Sequence, residues 1–486
     1  MKLPPFDPVV LPRMGIWTLI FIFVTITVAD PDLWGHVLFG MDIIRDWSLP
    51  SADPYSFTSD RPWVNHEWLS EVAMGAAYLA AGPSGLGALK SAVLLTGLVA
   101  LAAELRARQL QPVAVDVLLV FVVMCSLPLT KTFRPQAFSV LLFVILLACL
   151  RRVEDGRTRC LVIVPLLFIP WANLHGGWLV GIGVLGLWTS IRLLWPLGAS
   201  RAQWAITGIA AVGATLVTPY GVGLWRFLFD TVRFGRADIS EWQSVTAVPW
   251  PQPLLWAIPV VILGAGVLRE RPRLTHVSTT ILLGVASFRV VRLIPFLVIA
   301  TVCLIGPAFR RERPARAAAL ATGAQAWAIA ALFVLAALGA GSMMARRNAT
   351  CLAGAETWMA DQSAAAFIQQ AGLRGRMLTW FDWGEYAIWH LQPDVLVSMD
   401  GRRETVYSDA MSTMHDTFYS ARPGWQEALT KLNPDYIWLP VRLAVTSQLE
   451  ALGWQKAFAS PRSEIFTKLP VETVLGTTQA ASCFPD

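Results

Sequence analysis

Apolar stretches close to the length of a membrane span recur along the first 342 positions, separated by short polar breaks. A helix needs about 20 such residues to cross the hydrocarbon core of a bilayer. Stretches that fit lie at 14–28, 86–104, 113–128, 136–150, 160–173, 178–194, 202–218, 253–268, 275–288, 293–309 and 320–342. They predict eleven transmembrane helices. A further run, WLSEVAMGAAYLAAG at 68–82, is apolar but short, with small and large residues alternating. It predicts an interfacial or re-entrant helix lying on the bundle. From 343 onward the pattern changes. DQSAAAFIQQAG reads as an amphipathic helix ending at Gly372, and RMLTW, DVLVSM and DYIWLP read as short buried strands between helices. That alternation predicts a layered α/β domain. The expected organisation is an α-helical polytopic membrane bundle over 1–342, with a first external loop at 29–85, followed by an α/β extracytoplasmic domain over 343–486.

Composition agrees with a membrane protein. The 486 residues are 55% hydrophobic and 15% charged, against about 25% charged in an average soluble domain. The net charge of +6 does not point to nucleic acid, because the basic residues fall in short loops between apolar runs. Lys2 and Arg13 precede the first span, and the loops at 104–108, 151–159, 192–201, 269–273 and 310–316 are all basic. Such loops mark the cytoplasmic side. An odd number of spans then exports the C-terminal domain. The first apolar run leads into ADPDLW, with no small-residue cleavage site, and reads as an uncleaved span. Of the six cysteines, Cys125, Cys149, Cys160 and Cys303 lie in or at the edge of spans. Cys351 and Cys483 belong to the exported domain, where an oxidising compartment would permit them to pair. No cysteine or histidine spacing suggests zinc, and no phosphate-binding glycine motif suggests a soluble nucleotide.

With this topology, unusual polar residues collect on the outer face. Asp30, Asp32 and His36 follow the first span, and His66 and Glu67 lie in the same loop. TKTFRPQ adds Lys131 and Arg134, and WANLHGGW adds Asn173 and His175. The loop 218–245 adds Tyr220, Arg226, Arg233, Arg236, Glu241 and Trp242, and SFRVVRLIPF adds Arg289 and Arg292. Singly, each has a structural reading: Asp30 caps a helix, Arg134 anchors to headgroups, His175 packs. Charged groups at membrane depth cost about 2.5–3.5 kcal/mol each on insertion scales, so they are kept where they pair or work. Together they suit chemistry on an anionic lipid. Arg134, Lys131, Arg289, Arg292 and His175 are candidates to bind a donor phosphate. A carboxylate at the surface can act as general base or hold a divalent cation such as Mg or Mn. Asp30 and Asp32 form a D-x-D pair, and in an extended segment both would point the same way, toward one metal or one substrate.

The stretch DPDLWGHVLFGMDIIRDWSLPSADPYSFTSDRPWVNHEWLSEV resembles the first external loop of bacterial membrane glycosyltransferases of the GT-C fold. FRPQAFSV, WANLHGGWLVG, TPYGVGLW and ISEWQS are similar to segments of one large bacterial GT-C-like group. The resemblance implies a multi-pass protein of the bacterial plasma membrane. Such a protein transfers sugar from a polyprenyl-phosphate donor to a glycan, lipid or protein acceptor at the outer face. It matches the first-loop catalytic acid to Asp32 or Asp30, with Asp32 favoured because it lies further beyond the apolar run. Asp53 is a second first-loop acid or a turn residue before Pro54, and His66 with Glu67 forms a further candidate pair. TWFDWGEYAIW is similar to the W-W-D-Y-G motif of oligosaccharyltransferase catalytic subunits, with Trp380, Phe381, Asp382, Trp383 and Gly384 in those places. On that likeness Trp380, Asp382 and Trp383 are candidates for acceptor binding; Arg402, in the turn after DVLVSM, is a separate candidate to line an acceptor groove facing the membrane. The structural alternative makes Asp382 the N-cap of a helix from Trp383, and Asp400–Gly401–Arg402 a tight turn with a buried ion pair. Two other readings stand beside the enzyme: a lipid or glycan flippase, and a non-catalytic assembly protein of the same fold.

Overall fold

The computed structural model describes residues 10–232, 239–310, 323–354, 359–468, 474–476 and 483–486. Lys2, Arg233, Arg236 and all but the first residue of the basic loop 310–316 lie outside them. The helices are α1 (Val10–Thr25), α2 (Asp32–Asp46), α3 (Trp68–Ala107), α4 (Pro112–Thr130), α5 (Gln136–Glu154) and α6 (Cys160–Leu174). Then follow α7 (Trp178–Leu194), α8 (Arg201–Ala214), α9 (Val222–Val232), α10 (Gln252–Arg269), α11 (Leu274–Arg289), α12 (Ile294–Ala300) and α13 (Gly323–Thr350). The last four are α14 (Gln362–Gln370), α15 (Phe381–Leu391), α16 (Asp409–Tyr419) and α17 (Trp425–Leu432). Each predicted span is helical over most of its described length. The chain packs as two units. The first comprises Met1–Thr27, Gly87–Leu224 and Gly235–Arg347; the second comprises Val28–Leu86, Trp225–Phe234 and Asn348–Asp486.

The first unit is the helical bundle. Among the described residues, five helical runs are long and apolar enough to cross a membrane: α3, α5, α10, Val291–Phe309 and Gln325–Thr350. Shorter apolar helices include α1, α6 and α7. The runs α5 and Val291–Phe309 are inner helices, whereas α13 leaves Leu332, Leu335 and Leu338 more than 60% exposed. Bare leucine at that density is a surface for lipid. The basic loops meet at one end. Glu104 binds Arg108 and Arg152, each at 3.0 Å, while Glu154 binds Arg192 at 2.9 Å and Arg273 at 3.1 Å. Asp116 is bound by Arg13 at 2.7 Å and by the Trp17 indole at 3.0 Å. These are the loops whose charge pattern predicts a shared face.

The second unit joins the first polar loop to the C-terminal residues. Its strands are β1 (Leu352–Ala353), β2 (Gly375–Thr379), β3 (Val395–Val397), β4 (Tyr436–Pro440), β5 (Gln455–Ala459), β6 (Ser463–Thr467), β7 (Val474–Leu475) and β8 (Cys483–Phe484). The main sheet runs β3-β2-β4-β6-β5-β7. β2 is parallel to β3 and β4, and α15 forms the crossover between β2 and β3. β1 pairs with β8, and Cys351 and Cys483 beside that pair form a disulfide, with Cα atoms 5.3 Å apart. All three predicted strands are present, as β2, β3 and β4. α14 follows an Asp361 N-cap, and Gly372 beyond it takes φ +63.

The first loop is sewn onto this sheet. Phe57 N–H donates to the Val397 carbonyl and Val397 N–H to the Tyr55 carbonyl, both at 3.1 Å. Ala29 N–H donates to the Ala353 carbonyl at 2.8 Å. α2 buries Trp34 against Tyr386 and Phe484, and the Trp34 indole donates to the Pro485 carbonyl at 3.0 Å. α2 crosses the start of α3 at Gly40 and Gly75, where a Cβ on Gly75 would stand 2.7 Å from the Met41 nitrogen. The 68–82 run is continuous with the next span in α3 but is broken from it at Ala81 and Gly82, which leave helical geometry. Gly82 takes φ +57 there, a conformation that glycine adopts without steric cost.

One buried cation fastens the loop. Arg402 donates to Asp400 at 2.9 and 2.6 Å and to Asp53 at 2.7 Å. Its guanidinium also lies 4.7–5.1 Å from the ring centres of Trp63, Phe39 and Tyr55. Removing one member of such a set leaves a buried charge uncompensated, at about 3–5 kcal/mol. Arg402→Met is therefore expected to destabilise the protein by that order. Thermal unfolding of purified wild type and variant checks it; an unchanged midpoint would show that the clamp contributes nothing.

Candidate functional site

In the second unit, the residues that carry chemistry gather where α2 meets α15 and the turn after β3. Asp32 is the first residue of α2, where an acid complements the helix dipole. Gly401 leaves room in front of it. A Cβ at Gly401 would stand 2.6 Å from Asp32 Oδ1 and 2.8 Å from Glu385 Oε1. The two carboxylates therefore flank one glycine. Glu385 Oε2 accepts the Gly35 N–H at 3.1 Å. Asp400, in the same turn, accepts from the Tyr407 hydroxyl at 3.0 Å and from Arg402.

Acids outnumber nearby cations here, and the most buried one gives way. Burial, then the charges of Asp32 and Asp400, raise the Glu385 pKa well above the ordinary carboxyl range, against the pull of Arg402. Asp382, one helical turn earlier, is pushed up to about 6, first by burial; its bond from the Trp380 indole at 3.0 Å works the other way, and the charge of Asp32 adds to the rise. His36 lies one turn after Asp32 on α2. Burial would lower its pKa, but the hydrogen bond and charge of Glu71, with Glu67 and Asp32, carry it to about 9. His36 Nδ1 is 3.3 Å from Glu71 Oε1, and Asn65 Nδ2 donates to the other Glu71 oxygen at 2.5 Å. His66 and Glu67 pair at 3.4 Å, with the His66 ring against Phe227.

Some expected geometry is not found. Pro31 is in the right-handed helical region, not extended, so Asp30 and Asp32 do not share one side of a strand. Asp30 is buried while Asp32 is half-buried. Among the described residues, no group of three or more His, Cys, Asp or Glu is placed to hold a metal ion. α15 begins at Phe381 with Trp380 as its N-cap, so Asp382 sits in the first turn rather than capping it. Trp383 is buried against Trp438, and Arg402 is enclosed by its acids and aromatic rings. Both point into the core. Trp380 is half-buried, stacked on Phe381 and Tyr419 with Arg442 over its ring.

The first unit holds the basic candidates. Arg134 reaches Glu241 at 3.4 Å and Arg292 lies 4.0 Å from the same oxygen. Arg292 also donates to Gln136 Oε1 at 3.2 Å and lies over Trp242. Loops 131–136, 240–243 and 291–293 are thus brought together, as the sequence reading required. Lys131 gives its carbonyl to Lys90 at 3.1 Å. Arg289 is exposed at the end of α11 and makes none of these contacts. His175 locks a turn: its Nδ1 accepts from Gly177 N–H at 3.0 Å and pairs with Ser139 Oγ at 2.8 Å, which in turn accepts from the Trp171 indole. In the same unit a narrow apolar crevice of about 30 Å³ lies between Phe23, Leu94, Leu98, Val122, Val144 and Ile299.

No family model matches the chain, and no curated protein matches it in sequence. Its fold does match solved structures. ArnT from Cupriavidus metallidurans bound to undecaprenyl phosphate superposes with a TM-score of 0.56 at 14% identity, over 95% of this chain and 98% of that one. The apo state of ArnT gives 0.54 at 13% identity with the same coverage. Arabinofuranosyltransferase AftD from mycobacteria gives 0.52 at 13% identity, over 97% of this chain and 42% of that chain. The chain is a polytopic membrane protein with the GT-C fold. At these identities the fold is what is shared.

Glu385 makes stability depend on pH. An unfolded glutamate ionises near pH 4.3, roughly, whereas folded Glu385 keeps its proton far above that. The folded state then binds one more proton than the unfolded, and stability falls as pH rises. His36, raised to about 9, contributes stability present below its unfolded value and lost as pH rises through 9. Glu385→Gln keeps an acceptor for Gly35 and removes the first decline. Its unfolding midpoint is expected to fall less than that of wild type as pH rises above the ordinary glutamate range, about 4.3. Parallel curves would show that Glu385 does not carry the proton.

Proposed function

We propose that the protein is a glycosyltransferase that moves a sugar from a polyprenyl-phosphate donor to an acceptor at the outer face of the bacterial plasma membrane. The GT-C fold supports this, because ArnT, which shares it, binds undecaprenyl phosphate. The observation that carries the reading is Asp32, half-buried at the head of α2, with Gly401 packed between it and the buried Glu385, whose pKa burial raises. The orientation that goes with the proposal has the N-terminus in the cytoplasm and residues 343–486 outside, following the basic loops gathered at one bundle end.

In this reaction Asp32 takes the proton of an acceptor hydroxyl or amine as that atom bonds to the anomeric carbon. The bond from that carbon to the phosphate oxygen breaks, and its electron pair leaves with the polyprenyl phosphate. In the first unit, Arg134 and Arg292 are the candidates to bind the donor phosphate. Glu241 holds both guanidinium groups in place before substrate binds. Glu385 is the buried acid of the pair and Asp32 the half-exposed one. Glu67 and His66 are assigned to the same outer region as a second acid–base pair. Asp382 and Trp380, both half-buried, are the acceptor-side candidates that remain at the surface.

The test is transfer of radiolabelled sugar from polyprenyl-phosphate donors in membranes containing the protein. Asp32→Asn is expected to lose roughly 10²–10⁴ of the rate, the usual share of a general base. Arg134→Ala and Arg292→Ala are expected to raise the KM for donor as well. Equal activity in Asp32→Asn and wild type at matched expression would remove Asp32 from the mechanism and turn attention to Glu67.

A further inference from the structure

At the end of the bundle where the basic loops meet, a pocket of about 460 Å³ opens among α3, α5, α10, α11 and the Val291–Phe309 run. Arg108, Arg151, Arg271, Arg273 and Arg310 line it, with Glu270 and His276. The surrounding acids are already engaged. Glu104 binds Arg108 and Arg152; Glu154 binds Arg192, Arg273 and, at 3.3 Å, His276; Asp155 binds Arg108 and Arg273. Glu270 lies 3.7 Å from Arg310. Arg151 and Arg271 have no acidic partner among the described residues. Arg151 is 4% exposed and lines the pocket; one of its Nη groups donates to the Cys303 carbonyl, and its Nε has no hydrogen-bond partner. A buried guanidinium with an unused donor in a pocket of net positive charge is built for an anion.

The walls say which kind. Beyond the arginines the lining turns apolar at Leu304, Pro307 and Ala308. Leu268, Leu274 and Phe309, each within two residues of a lining residue along the chain, are 90%, 51% and 40% exposed. Cationic side chains at the end of membrane helices, bordered by bare apolar surface, match a headgroup phosphate with its acyl chains alongside. We propose that this pocket binds the phosphate headgroup of an anionic phospholipid, at the end of the bundle that carries the basic loops. The site involves none of the residues assigned to sugar transfer, and it stands whether or not that assignment does.

Native mass spectrometry of the purified protein tests it with cardiolipin, phosphatidylglycerol and phosphatidylcholine added in turn. Wild type is expected to retain cardiolipin or phosphatidylglycerol at least about tenfold more than phosphatidylcholine. Arg271→Gln combined with Arg310→Gln, both at exposed positions, is expected to lose that preference about tenfold with an unchanged unfolding midpoint. Arg151→Met should lose it as well. Retention that ignores headgroup charge, or that is unchanged in the double variant, would overturn the proposal and leave the arginines as a structural network. Displacement by inorganic pyrophosphate from protein that shows no lipid preference would overturn the lipid source and make this a site for soluble phosphates.

Discussion

Burying a guanidinium is costly unless it is paired, and Arg402 draws its carboxylates from two distant segments. Asp53 comes from the loop after the first span; Asp400 comes from the turn after β3. Burial works against the charged form, and the two carboxylates hold it charged. Three aromatic rings close around the remaining faces. The pair of ionic contacts fixes where residue 401 can lie. Gly401 then sets the gap between Asp32 and Glu385, and Gly384 lets α15 approach the same turn, since a Cβ there would run into Met399 and Asp400. The position of the candidate base thus depends on a cation it does not touch.

That clamp also explains why the acids of this unit behave unequally. Asp53 and Asp400 spend their charge on Arg402. Glu71 spends part of its charge on His36 and takes a hydrogen bond from Asn65. Glu385 is left buried with no cation in contact, and burial raises its pKa well above the ordinary carboxyl range. Asp32 is the acid of the group that faces the gap while remaining half-exposed. In the bundle the distribution is different. Ionic groups occupy its two ends, and inner helices such as α5 pack apolar residues between them. Membrane insertion demands that separation.

Much of the architecture was legible in the chain. Hydrophobic run length marked the apolar helices, five of which, among the described residues, are long enough to cross a bilayer. Strands β2, β3 and β4 were legible as short apolar runs bounded by turns. The Cys351–Cys483 pairing was foreseen from compartment alone. The site was legible only in part. Asp32 stands out because it follows an apolar run. The D-x-D geometry failed because proline at position 31 starts a helix, and period-two logic does not hold there. Trp383 lies buried against Trp438, and Arg402 forms the buried ion pair in a tight turn that was one of its two readings from sequence. His175 accepts the Gly177 N–H through a ring nitrogen. Glu385 went unread, although its spacing of three from Asp382 places both on one helix face. Nothing in a lone glutamate inside GEYAIW signals that Asp32 and Asp400 will close on it.

The central claim is that Asp32 acts on the acceptor rather than holding the donor or the fold. The direct measurement is equilibrium binding of a polyprenyl-phosphate sugar to purified Asp32→Asn protein, set beside its turnover. The account predicts donor affinity within about twofold of wild type while transfer is lost. A loss of binding that matches the loss of transfer would make Asp32 a binding or folding residue and contradict the account.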